Sequence, residues 1–312
     1  MNALHPPRLR RGDVIGLVSP ASPPRSAAMV EGSVRYLEGL GYRVAVGAHV
    51  LARHGFSAGT DADRLADLNA MIRDPRIKAL FALRGGNGCL RLLRDVDYRA
   101  LSRRPKILVG YSDLTFLQLA VWRRCRLVSF SGPMPAVEFW HAPDPYTEEM
   151  FWGLLTSRAR RRVLTFPADA PGRTVRPGVG EGRLLGGCLS LVTTLLGTPF
   201  APRFDGALLF AEDVGELPHR LHRLWTQLDL AGVLRRLNGV LAGRFTGAEP
   251  RPGEAHLTQA EILEETLGEV GIPVLADLPY GHIPRKLTLP QGVLARLDAG
   301  RRRVTLLESA VV

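Results

Sequence analysis

The chain has 312 residues, 46% of them hydrophobic and 23% charged, with three cysteines. Its length favours two domains, and its apolar content excludes a disordered chain. The net charge of +11 rests on scattered arginines without interleaved aromatic side chains to stack bases, so nucleic acid is not an expected partner.

The basic N-terminal segment is not followed by an apolar stretch of secretory-signal length. The longest uncharged span, 184–202, is broken by Gly186-Gly187 and Gly197-Thr198-Pro199. It reads as a buried helix with flanking turns, not as a membrane span. Cys89, Cys125 and Cys188 form no C-x-x-C pair and cannot build a disulfide framework, so the cytoplasm is the expected compartment.

In chain order, the apolar run 13–19 predicts a strand ending in a Ser-Pro-Ala-Ser-Pro-Pro turn. A helix over 25–40 stops at Gly41, and 42–46 is a second strand. Helical spacing over 61–73 begins at Thr60 or Asp61, either of which can cap. A strand at 77–83 leads into Arg84-Gly85-Gly86-Asn87-Gly88 and a helix over 88–95, and a strand at 106–110 leads into a helix over 114–122. This alternation predicts an α/β fold with a parallel sheet. Residues 145–160 have helical character, and the Pro- and Gly-rich segment 166–179 reads as a linker. Beyond it, helices are expected near 187–196, 217–229 and 258–268. Strands are expected at 206–211, 238–245, 273–277 and about 293–308.

Four segments can carry chemistry. In Lys106–Thr115 an apolar strand ends at Gly110, Ser112 follows and a helix begins, which is the strand–turn–helix context of a nucleophile elbow. Ser112 fits equally as a helix cap. Arg84–Gly88 is a glycine turn that fits an oxyanion-binding loop or a ligand-free turn, and it matches no nucleotide fingerprint. Glu212 and Asp213 follow an apolar run, where they can orient a histidine or simply complement a helix dipole. His282, after Gly281, is a candidate general base, with His54, His219 and His222 as competitors in weaker contexts. No spacing reads as a zinc site.

These segments, with Gly12–Ser22, Ser131–Met134, Leu184–Thr198 and Leu278–His282, resemble the LD-carboxypeptidases. That family includes murein tetrapeptide carboxypeptidases and microcin C self-immunity peptidases. The resemblance implies a flavodoxin-like N-terminal α/β domain, a smaller C-terminal β/α domain and an active site between them, here divided as 1–165, linker 166–179 and 180–312. It also implies a serine hydrolase with the triad Ser112, Glu212 and His282. Ser112 would attack the carbonyl, His282 would act as base and Glu212 would hold the imidazole tautomer. The backbone N–H groups of Asp113 and Gly86 would form the oxyanion hole, and Arg84 is a candidate substrate anchor. No metal or other cofactor is implied.

Four departures from the family pattern bear on specificity: Asn87, Ser131, Cys188 and His222. The expected activity is release of a terminal D-amino acid, D-alanine above all, from murein tetrapeptides in cell-wall recycling. One alternative is cleavage of peptidyl or aminoacyl nucleotides, and another is a non-catalytic murein-peptide binding protein. The expected partner is a small peptide, with neither nucleic acid nor membrane, and the expected assembly is a homodimer.

Overall fold

A computed structural model describes residues 3–247 and 255–312. The chain forms two compact units. The first is Met1–Arg158 with Leu287–Gly292 and Ser309–Val312; the second is Ala159–Lys286 with Val293–Glu308.

The first unit runs β1 (Val14–Val18), α1 (Ala27–Gly39), β2 (Arg43–Val46), α2 (Asp61–Arg73), β3 (Ile77–Ala82), α3 (Cys89–Leu92), α4 (Tyr98–Arg103), β4 (Ile107–Gly110), α5 (Leu114–Cys125), β5 (Ser129–Ser131) and α6 (Pro145–Thr156). Strands β2-β1-β3-β4-β5 lie side by side in parallel, which is the flavodoxin-like order. Local chemistry sets the helix starts. Thr60 and Asp63 close a capping box on α2, and the Asp144 carboxylate accepts the Thr147 N–H before Pro145 opens α6. Helix α5 is buried continuously from Leu114 to Trp122, as the apolar run requires.

The second unit contains β6 (Arg162–Leu164), β7 (Arg173–Arg176), β8 (Val179–Cys188), α7 (Leu189–Leu195), β9 (Leu208–Val214), α8 (Pro218–Leu230), β10 (Gly239–Thr246), α9 (Gln259–Leu267) and β11 (Val274–Ala276). The chain then gives β12 (Leu289–Gln291) to the first unit, antiparallel to β5, and returns with β13 (Leu294–Asp298) and β14 (Arg303–Leu306). The second sheet is ordered β6-β14-β13-β8-β9-β10-β11-β7, with β8 to β11 parallel at its centre. Thus the chain has two α/β domains, and the second is the smaller.

Two sequence expectations change here. The span 184–202 is not helical from its start, because β8 runs through Cys188 and α7 covers only Leu189–Leu195. Glycine makes this possible: a Cβ on Gly186 would sit 1.7 Å from the Phe210 carbonyl oxygen of β9. The strand expected at 206–211 continues to Val214, so Glu212 and Asp213 belong to β9 and do not start a helix. Among the described residues, no helix is long and apolar enough to cross a membrane.

Candidate active site

In the first unit, the loops after β3 and β4 meet. Ser112 has φ of 63°, a left-handed conformation rare outside glycine and typical of a strained turn. It does not cap α5: the N-cap position is Asp113, and no side chain closes the cap. The turn is packed against Gly85, where a Cβ would come 2.7 Å from Ser112 Cβ and 2.8 Å from its Oγ. Asp113 links the two loops by accepting the Cys89 N–H at 2.8 Å, and burial pushes its carboxyl pKa up. Gly86 has φ of +117° and lies against Ser22, whose hydroxyl donates to Phe56 O at 2.6 Å and accepts the Asn87 N–H at 3.2 Å.

Arg84 is half-buried and donates to Pro23 O at 3.3 Å. Burial lowers its pKa, and the neighbouring charges of Arg25 and Arg53 lower it further.

In the second unit, parallel register pairs Cys188, the last residue of β8, with Glu212 on β9. The loop after β11 brings His282 to the same carboxylate. It is held by hydrogen bonds from Leu278 N to Ala242 O and from Arg244 N to Tyr280 O. Gly281, at φ of +123°, allows the close approach, since a Cβ there would stand 2.9 Å from Glu212 Oε2.

His282 Nδ1 lies 2.7 Å from Glu212 Oε2, and the Cys188 thiol donates to Glu212 Oε1 at 2.9 Å. Glu212 is fully buried and Cys188 nearly so, whereas the His282 side chain is 19% exposed. A carboxylate facing Nδ1 selects the Nδ1–H tautomer and makes Nε2 the basic atom of the ring. Next along β9, Asp213 accepts the N–H groups of Ser190 and Val214, and burial pushes its pKa up to about 6.

The expected Ser–Glu–His triad is therefore corrected. The side chains gathered around Glu212 are Cys188 and His282, with one ligand atom from each of the three residues within 4.8 Å of the others. This cluster is thiol-based. Ser112 belongs to the other compact unit. The reason is register: once β8 is a strand parallel to β9, Cys188 must neighbour Glu212. Sequence reading flagged Cys188 only as a departure from a family pattern. The signal that could have found it is the run Gly186-Gly187-Cys188 immediately before a helix, a counterpart of Gly110-Tyr111-Ser112. Of the competing histidines, His54 forms an isolated bridge with Ser57, and His222 Nε2 lies 3.5 Å from Glu265.

Residues 15–132 match the LD-carboxypeptidase N-terminal domain, and residues 181–297 match the LD-carboxypeptidase C-terminal domain. The chain belongs to the LD-carboxypeptidase family. It is 33% identical over 299 residues to the murein tetrapeptide carboxypeptidase of Pseudomonas aeruginosa, covering 93% of this chain and 94% of that protein. The structure of the microcin C7 self-immunity protein superposes with a TM-score of 0.91 at 26% identity, covering 99% of this chain and 100% of that one. A muramoyltetrapeptide carboxypeptidase from Oxalobacter formigenes superposes at 0.83 with 29% identity, covering 94% and 97%. With its carboxylate-held histidine, the chain is a hydrolase of this family.

Proposed function

We propose that the chain hydrolyses the amide bond of a small aminoacyl or peptidyl nucleotide. The observation that carries this reading is the overlay on the self-immunity protein. It is tighter and more complete than that on the muramoyltetrapeptide carboxypeptidase. Structures of that self-immunity protein hold aspartyl sulfamoyl adenosine and glutamyl sulfamoyl guanosine, both acidic aminoacyl conjugates. Arg84 is the proposed anchor for an acidic group of the substrate.

In this reading, His282 accepts at Nε2 the proton of the nucleophile as it bonds to the carbonyl carbon, and returns it to the leaving amine as the amide bond breaks; water then releases the acyl group by the same proton transfers. Glu212 fixes the tautomer and stabilises the imidazolium. The cluster itself holds one nucleophilic atom, the Cys188 sulfur. The reaction is placed in the cytoplasm and the active species is taken as a homodimer, which light scattering tests.

A second reading is release of D-alanine from murein tetrapeptides, favoured by the 33% identity to the Pseudomonas enzyme. The deciding experiment incubates the protein with an aspartyl sulfamoyl adenosine conjugate and, in parallel, with a murein tetrapeptide, and reads the products by mass spectrometry. Cleavage of the conjugate alone supports the first reading, and loss of D-alanine alone replaces it with the second. Peptide mapping after an electrophilic substrate analogue then locates the adduct. An adduct on Cys188 supports its role, whereas one on Ser112 would overturn it and leave the Glu212–His282 pair standing.

A further inference from the structure

We propose that Cys188, Glu212 and His282 form a binding site for a thiophilic divalent cation, Zn²⁺ or Cd²⁺, and that its capture switches the hydrolase off. The inhibitory part rests on reading this cluster as the catalytic one; the binding part does not.

The donor set is one sulfur, one carboxylate oxygen and one imidazole nitrogen, all within 4.8 Å of one another. Around zinc, sulfur stands about 2.3 Å and nitrogen or oxygen about 2.0–2.2 Å from the ion, which separates neighbouring donors by roughly 3.3–3.7 Å. The present contacts of 2.7 and 2.9 Å are hydrogen bonds. An ion takes the place of their protons: these two contacts open by less than about 1 Å, and the sulfur–nitrogen pair, within 4.8 Å at present, settles to the same donor spacing.

Charge favours the exchange. Glu212 and Cys188 are buried. A carboxylate and a thiolate together carry two negative charges, which a divalent ion cancels without leaving a net charge in the interior. Softness selects the ion: a thiolate ligand favours zinc or cadmium over magnesium or calcium. The partly exposed edge at His282 is the route of entry, and solvent can supply a fourth ligand there.

The proton balance explains the inhibition. The Cys188 thiol proton leaves to solvent as the sulfur–metal bond forms. The Nδ1 proton gives way to the metal and a proton is taken up at Nε2, so the ring stays neutral. With Nε2 protonated, the ring has no lone pair to accept a proton from a nucleophile or water. Sequence spacing could not reveal this site, because its ligands come from the end of β8, the interior of β9 and the loop after β11, at positions 188, 212 and 282.

The test is a cadmium titration of the full-length protein, freed of metal and without substrate, read by the ultraviolet cadmium–thiolate charge-transfer band. Cys125, the half-buried thiol, is replaced by serine to remove a competing ligand. The expected result is a band saturating at one equivalent, absent in Cys188→Ser and requiring at least about tenfold more cadmium in His282→Gln. Circular dichroism checks that each variant is folded. Should Cys188→Ser not fold, His282→Gln alone decides. A band that survives in Cys188→Ser, a titration unchanged in His282→Gln, or no band in the parent protein overturns the site. Because the band needs no turnover, its absence from an active hydrolase sinks this inference alone. Its presence in a protein without hydrolase activity sinks only the functional reading.

Discussion

Cys188 and Glu212 face each other across the parallel strands β8 and β9, and the thiol donates to one carboxylate oxygen while the other meets His282 Nδ1. One buried carboxylate thus serves two donors at once. Aspartate would fall short by a methylene, and glutamine would offer one acceptor where two are used.

That second point predicts the outcome of Glu212→Gln. The amide has nearly the same shape, so the fold should survive. Its single oxygen, however, can accept from the thiol or from the ring, not both. If the amide NH₂ faces Nδ1, that nitrogen must act as acceptor and Nε2 carries the proton, which removes the base. We expect kcat to fall about 10³- to 10⁴-fold with little change in KM, by analogy with carboxylate-to-amide changes in other triads. Steady-state kinetics with the cleaved substrate measures this. A fall of less than tenfold would falsify the orienting role of Glu212.

Gly186 is predicted to be intolerant of any side chain. A methyl group there would lie 1.7 Å from Phe210 O and 2.7 Å from Phe210 C, both backbone atoms of the adjacent strand. No rotamer change can relieve that contact. Relief requires separating β8 from β9, which also parts Cys188 from Glu212. Gly186→Ala should therefore cost more than the roughly 1–3 kcal/mol of an ordinary overpacked site. A urea unfolding midpoint close to that of the parent protein would contradict the register described.

The βα alternation of the first domain was legible because its strands are short apolar runs bounded by glycine or proline, as at 14–18 and 107–110. Helix 61–73 was legible to the residue from its apolar spacing, while the choice of cap between Thr60 and Asp61 was settled by the capping box that Thr60 closes with Asp63. Glu212 and His282 were legible as residues, and Ser112 as an unusual turn. The strand β8 was hidden because Leu184–Thr198 is uncharged and apolar on both of the faces a strand or a helix would show, so periodicity could not separate strand from helix. With β8 unseen, Cys188 had no known neighbour. The strand β12 was hidden for a different reason: three residues carry no periodic signal, and only pairing with Ser129–Ser131 defines it.

The contact between Gly85 and Ser112 gives a third prediction. A Cβ on Gly85 would meet Cβ and Oγ of a residue already held at φ of 63°. The bond from Cys89 N–H to Asp113 also holds the turn in place. Gly85→Ala is expected to destabilise by about 1–3 kcal/mol. Ser112→Gly should instead stabilise by up to about 1 kcal/mol, because glycine occupies the left-handed region without strain. Thermal or urea unfolding of both variants checks the pair. Opposite signs are expected, and equal destabilisation by both would remove the strained-turn description.

The last prediction concerns pH and Asp213. Burial raises this carboxyl from 3.8 to about 6, against the opposing bonds from Ser190 and Val214 N–H groups, and the nearby Glu212 charge adds to the rise. A raised acid pKa means that the fold prefers the protonated form. Its contribution to stability is then fully present below the unfolded value near 3.8 and is lost as pH rises through about 6. The full span corresponds to roughly 3 kcal/mol at about 1.4 kcal/mol per pH unit. Asparagine cannot ionise, so Asp213→Asn lacks this loss. The measurement is the urea stability of both proteins between pH 4 and pH 7.5, taken as a difference so that other titrating groups cancel. The parent protein should weaken relative to Asp213→Asn as pH rises from 4, most steeply near about 5, and the difference should level off above about 6. A difference independent of pH would mean that Asp213 titrates alike in the folded and unfolded chain. The neighbour of Glu212 would then be an ordinary carboxylate despite its burial.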